Sequence, residues 1–156
     1  MSPRKELKIL VASGVNLDLL GTREPDIYGS TKLTDLHHSL SQLASKLETL
    51  SSVKLNMTFF QSNDEAEFLE VLSQEIWDGA ILNPGAWTHT SLALADRLVG
   101  LALPFVEVHI SNTSAREEHR SKSFTAPHAL GVCYGFGVES YHTGLFGLVN
   151  NLLKRP

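Results

Sequence analysis

Five short apolar runs, each followed by a longer stretch with helical spacing, constrain this chain more than any other feature. The runs fall at residues 7–12, 55–60, 80–82, 104–110 and 131–134. They are nearly continuous, which predicts strands covered on both faces, since a half-solvated strand alternates apolar with polar residues. Between the first two runs, Leu33, Leu36, Leu40, Leu43, Leu47 and Leu50 recur at three- and four-residue spacing. That spacing predicts one buried stripe of a helix, with His37 and His38 turned to solvent. Ser62-Asn63-Asp64-Glu65 has the spacing of a capping box ahead of Ala66, Leu69, Leu72 and Ile76. Residues 91–100 and 139–154 predict two more helices.

Strict alternation of strand and helix implies a parallel sheet, right-handed crossovers and helices on both faces. The expected fold is therefore α/β, a flavodoxin-like five-stranded parallel sheet in the order 2-1-3-4-5, with residues 1–156 as a single domain. Composition agrees, because 42% apolar and 19% charged residues mark a folded chain rather than a disordered one. The formal charge of −4 speaks against broad binding to nucleic acid or to an anionic membrane. The start, MSPRKELKIL, has no long uncharged apolar segment, so neither a signal peptide nor a membrane span is expected. Cys133, the single cysteine, is expected to be a small buried hydrophobe in a protein of the reducing cytoplasm.

In such sheets ligands lie outside the carboxyl ends of the strands, so the residues after each strand matter most. After strand 1 comes Ser13 to Gly29, SGVNLDLLGTREPDIYG, too polar and too punctuated for a helix and longer than the usual two to six residues of such a loop. After strand 3 comes NPGAWTHTS, where Pro84–Gly85 reads as a bend and Thr90 or Ser91 as the next helix cap. That leaves Asn83 and His89 as candidate functional groups. Glu107, His109 and Ser111 share one face of strand 4 and its exit, and a glutamate beside a histidine fixes its tautomer and raises its basicity. Arg116 and Arg120, four residues apart in AREEHRSKS, suit either a solvated charged face or a carboxylate clamp.

The same inventory demotes other chemistries. A metal centre has no Cys pair and no H-E-x-x-H to build on, and a serine hydrolase has no G-x-S-x-G. Gly135-Phe136-Gly137 is followed by Ser140 where a dinucleotide fingerprint needs a third glycine.

Five separated motifs, LLGTREPDIYG, FQSNDEAEFL, ILNPGAWTHTSLALAD, PFVEVHISNTSAREEHRSKS and GVCYGFGVESY, resemble type II 3-dehydroquinate dehydratase, a flavodoxin-like enzyme of the shikimate and quinate pathways. The resemblance implies Tyr28 as the base that takes the C2 proton of a cyclic hydroxy-keto acid. It implies His109 as the acid that protonates the departing C1 hydroxyl, and Arg23 as the activator of the tyrosine. By the same likeness Asn83, His89, Ile110, Ser111 and Arg120 bind substrate, and Asn16 holds a water near the enolate oxygen. Glu107 and Arg116 support these groups, and Asp96 reaches a neighbouring subunit's site. The family uses no cofactor or metal and assembles as a dodecamer of trimers. A non-catalytic module that kept the pocket, or a lyase for another hydroxy-ketone acid, remains an alternative.

The long loop suits this assignment. A tyrosine of pKa ~10 becomes a useful base after a drop of ~3 units, about 4 kcal/mol. One cation at ~4 Å contributes on that order at an effective dielectric of ~20. Two departures stand out. Ser13-Gly14-Val15-Asn16 replaces the family's Asn-Gly-Pro-Asn, which predicts a less pre-organised strand 1 exit. Trp87 stands where tyrosine is common.

Overall fold

The computed structural model describes residues 5–22, 30–74 and 76–155. Strands β1 (Glu6–Ser13), β2 (Lys54–Gln61), β3 (Gly79–Asn83), β4 (Phe105–His109) and β5 (Gly131–Tyr134) pair in parallel in the order 2-1-3-4-5. Each expected run is a strand to within one residue at either end. The helices are α1 (Leu33–Ser51), α2 (Glu65–Leu72), the single turn α3 (Trp87–Thr90), α4 (Leu92–Leu101) and α5 (Glu139–Lys154). Among the described residues, no helix is long and apolar enough to cross a membrane.

Successive strand residues point to opposite faces, and the two resulting sets build two cores. Ile9, Val11, Ile81, Val106 and Val108 pack with α1 and α5, whereas Leu10, Ala12, Ala80, Leu82 and Phe105 pack with α2 and α4. Coverage on both faces holds for β1, β3 and β4 but not for the sheet edges. In β2, Met57, Phe59 and Phe60 are half-buried, and in β5, Val132 and Tyr134 are exposed. The helices centre on the middle strands, so the outer strands keep part of their surface in water. Cys133 is accordingly half-buried rather than fully enclosed, though burial still pushes its thiol pKa up.

Four local expectations need correction. Leu50 is 82% exposed, because α1 by then has run past the sheet; Leu36, Leu40 and Leu47 carry the buried stripe with Ala44. The cap of α2 is Asp64, whose Oδ1 accepts from the Ala66 and Glu67 amides at 2.8 and 3.4 Å. A carboxylate complements the helix N-terminus better than the Ser62 hydroxyl, which instead accepts from the Asp64 amide and donates to Glu67. That helix also stops at Leu72, leaving Ile76 outside it and 45% exposed. Finally, only His38 faces solvent; His37 lies half-buried against the Phe59 ring, with centroids 4.4 Å apart, and burial pushes its pKa down.

Two glycines let the exits of β1 and β3 interlock. A Cβ on Gly14 would sit 2.6 Å from the Pro84 carbonyl oxygen, and one on Gly85, at φ 63°, would sit 2.7 Å from that of Val15. Only glycine fits such backbone-to-backbone contact. The Gly14 amide donates to the Asn83 carbonyl at 2.8 Å and the Asn16 amide to Asn63 Oδ1 at 2.7 Å. Ser13 is fully buried, with its Oγ 3.1 Å from the Tyr141 hydroxyl. These contacts hold the strand 1 exit, where Val15 stands in place of a proline. A small hydroxyl matched to Tyr141 fills position 13.

Candidate active site

The exits of β1, β3 and β4 enclose a cleft of about 130 Å³. Its walls include Asn16, Asn83, His89, His109, Ile110, Ser111, Arg116 and Arg120, all anticipated from the sequence, with Leu17, Leu19 and Leu20 as an apolar side. Arg23 and Tyr28 lie outside the described residues. Asp96 is not brought to this cleft; it is exposed on α4, near Arg97 and Leu101.

The buried floor is a glutamate–histidine pair. Glu107 and His109, two apart on β4, point to the same side, and His109 Nε2 lies 2.7 Å from Glu107 Oε1. Both are buried, with Glu107 only 1% exposed. An ionised carboxylate can only accept, so Nε2–H is the donor and Nδ1 is left for chemistry in the cleft. Three hydroxyls that the sequence reading passed over complete the carboxylate's surroundings. Thr88 donates to Oε1 at 2.7 Å, Thr125 to Oε2 at 2.5 Å, and Ser123 to both oxygens at 3.2 and 3.4 Å. Burial pushes the Glu107 pKa up, but the bonds from His109, Thr125 and Thr88 outweigh it and hold the carboxyl below its ordinary value.

The neighbouring imidazole is tied differently. His89 Nδ1–H donates to the Lys122 carbonyl at 2.7 Å, which leaves its Nε2 as the free ring nitrogen. Burial pushes the His89 pKa down, against the opposing pull of that carbonyl. Its ring lies 6.4 Å from that of His109, at 18°. One face of the cleft thus presents two histidines in different settings, one backed by an anion and one by a carbonyl.

Asn83 closes the third side. Its Oδ1 accepts from the Gly85 amide at 3.1 Å, which turns the Nδ2 donors away from that bend. Arg116 and Arg120 do reach the cleft together, and both lie near Glu117, with Nε to Oε2 distances of 3.6 and 3.2 Å. Glu117 is exposed and was not anticipated as their partner. A ligand carboxylate would compete with it for the same guanidinium groups. No group of three or more His, Cys, Asp or Glu side chains among the described residues is placed to hold a metal ion.

A doubly wound parallel sheet with a histidine–carboxylate pair, amide donors and two guanidinium groups at its carboxyl rim defines an α/β enzyme for a small anionic substrate. The family model described as "Dehydroquinase class II" matches residues 7–149. The chain is 46% identical to the 3-dehydroquinate dehydratase of Prochlorococcus marinus (strain NATL1A), over 95% of this chain and 99% of that one. It is 45% identical to the enzyme of the same name from Geotalea daltonii, over 95% and 100% respectively. The crystal structure of a type II dehydroquinase from Butyrivibrio crossotus superposes with a TM-score of 0.86 at 33% identity, covering 92% of this chain and 98% of that one. The chain belongs to the class II dehydroquinase family, and its reaction class is that of a hydro-lyase.

Proposed function

We infer that this chain dehydrates 3-dehydroquinate to 3-dehydroshikimate and water, with Tyr28 as base, Arg23 as its activator and His109 as acid. The Tyr28 phenolate takes the C2 proton, and the electron pair spreads onto the C3 ketone as an enolate. Collapse of the enolate forms the C1–C2 double bond and expels the C1 hydroxyl, which takes a proton from His109 and leaves as water. Tyr28 ends as a phenol and His109 as a neutral ring, so one net proton returns from the first to the second before the next turnover.

The observation that carries this reading is the His109–Glu107 pair at the cleft floor, because an imidazolium backed by a buried carboxylate suits an acid rather than a simple ligand-binding group. Asn83 and His89, which line the cleft, bind ring hydroxyls, and Arg120, which also lines it, binds the carboxylate. Arg116 supports that charge and Asn16 a water at the enolate oxygen. Ile110 and Ser111 complete the substrate contacts. Every role is filled by a side chain or backbone group, so no cofactor is invoked.

The whole chain, 1–156, acts as one catalytic domain in the cytoplasm, as one of twelve copies built from trimers. Exposed Leu130, Val132 and Tyr134 on and beside the β5 edge, together with exposed Leu92 and Val99 on α4, supply apolar surface for such contacts. Asp96, outside its own chain's cleft, serves a neighbour's.

The test is ultraviolet detection of the conjugated enone formed from 3-dehydroquinate, for the unaltered chain and for Tyr28→Phe. The expected result is turnover without added cofactor and a fall in kcat of about 10²–10⁴ in the variant, with little change in KM. No enone from the unaltered chain would overturn the activity. A variant keeping more than about a tenth of kcat would overturn the assignment of the base.

A further inference from the structure

We propose that Thr88, Ser123 and Thr125 are positioning residues that hold Glu107 as a permanent anion and thereby hold His109 in its Nε2–H tautomer. This rests on the reading of His109 as the acid. A carboxylate offers about four lone-pair sites. Here Oε1 receives Thr88 and His109 at 2.7 Å each, Oε2 receives Thr125 at 2.5 Å, and Ser123 lies 3.2 and 3.4 Å from the two oxygens. His109, Thr88 and Thr125 each direct a proton at the carboxylate, and the single Ser123 proton is shared between it and the nearer Thr88 Oγ1, so a proton added to Glu107 would have to compete with these donors.

The hydroxyls are themselves locked. Thr88 Oγ1 lies 2.7 Å from Ser123 Oγ and 2.8 Å from Thr125 Oγ1. Ser123 Oγ also accepts from the Thr125 and Ala126 amides at 3.2 and 2.9 Å, which turns its own proton toward Thr88 and Glu107. Thr88 and Thr125 are fully buried. The cluster also joins two segments, since the Phe124 amide donates to the Thr88 carbonyl at 2.8 Å and His89 Nδ1 to that of Lys122. The segment that carries Arg116 and Arg120 is thus anchored to α3 beside the same carboxylate.

The consequence is specific. Glu107 does not take part in proton transfer; it is a fixed charge that keeps the Nε2 proton in place, so that His109 acts only through Nδ1. Among the described residues, the other titratable neighbour is His89 on α3, and the cleft's cations are Arg116 and Arg120.

The test is carboxyl-¹³C and imidazole-¹⁵N NMR titration of the whole chain, unaltered and as Thr125→Val, Thr88→Val, Ser123→Ala and Thr125→Ser. The unaltered chain should show the Nε2–H tautomer whenever the His109 ring is neutral, and Glu107 ionised below the ordinary carboxylate range. Thr125→Val should move the Glu107 midpoint up by about one pH unit, a tenfold change in proton affinity. It should also mix the His109 tautomers and carry the acid limb of kcat upward with the midpoint. Thr125→Ser, which keeps the donor, should restore all three. If Thr125→Val and Thr88→Val do not fold, Ser123→Ala at a half-buried position reads the same midpoint. An unmoved midpoint and tautomer in the folded variants would overturn the proposal. The titration needs no turnover, so its failure leaves the dehydratase reading standing, and failure of the enone assay leaves the titration standing.

Discussion

Two buried polar clusters flank the cleft from opposite faces of the sheet, and burial leads them to opposite charge states. On the α2–α4 face, burial raises the Glu107 pKa, but the bonds from His109, Thr125 and Thr88 hold it below its ordinary value. On the α1–α5 face, the Tyr141 hydroxyl, fully buried with Ser13 and Asn83 as neighbours, is pushed up to about 12 by the same loss of water. Burial disfavours charge in both places, and the number of protons pointed at the oxygen decides which side wins. Ser13 and Asn83 pull the Tyr141 pKa down but do not overcome desolvation. The sheet therefore carries an anion beneath His109 and a neutral hydroxyl beside Asn83.

The largest effect that separates the clusters is catalytic. His109→Ala should lower kcat by about 10²–10⁴, because it removes the acid served by the charged cluster. Tyr141→Phe should lower kcat by less than about tenfold and cost about 1 kcal/mol of stability, the net worth of one neutral hydrogen bond. Enone kinetics with urea unfolding reads both. Equal losses of kcat would erase the distinction.

A smaller effect is the direction in which pH acts on stability. The Glu107 pKa is depressed by folding, so its contribution is present above the unfolded carboxylate value of ~4.3 and is lost as pH falls through the folded value. The Tyr141 pKa is raised, so its contribution is present below the unfolded value of ~10 and is lost as pH rises through about 12. Urea midpoints for the unaltered chain and Glu107→Gln should converge on acidification. The advantage of the unaltered chain over Tyr141→Phe should shrink only above about pH 10. Convergence at the same end for both would contradict the assignment of charge.

The two clusters also differ in how far the sequence reveals them. Glu107 and His109 are legible because a spacing of two on a strand puts both side chains on one face, and the strand follows from its apolar neighbours. Leu36, Leu40 and Leu47 are legible for the same reason at helical period, whereas Leu50 fits the period yet lies beyond the sheet's edge. Thr88, Ser123 and Thr125 are not legible. In a Pro/Gly turn and a Ser/Thr-rich segment, hydroxyls read as caps, and nothing local says that three of them converge on one carboxylate 16 to 19 residues away in sequence. Tyr141 is hidden in a different way, as one apolar-stripe position among several on α5 whose hydroxyl finds Ser13 only through the crossover. Ser13 accordingly reads as a loss relative to asparagine until its partner is seen. The interlock of Gly14 with Pro84 is equally a property of the fold, since it depends on β1 and β3 lying side by side.

The central claim is that Glu107 acts only through His109, and a double-mutant cycle in kcat tests it most directly. Glu107→Gln, His109→Ala and the double variant would be compared with the unaltered chain by enone formation. Glu107→Gln should lower kcat by about 10–100-fold when His109 is present, as loss of an orienting partner does. No further loss is expected in the His109→Ala background, because nothing is left there to orient. Losses that simply multiply in the double variant would mean that Glu107 reaches the reaction by another route.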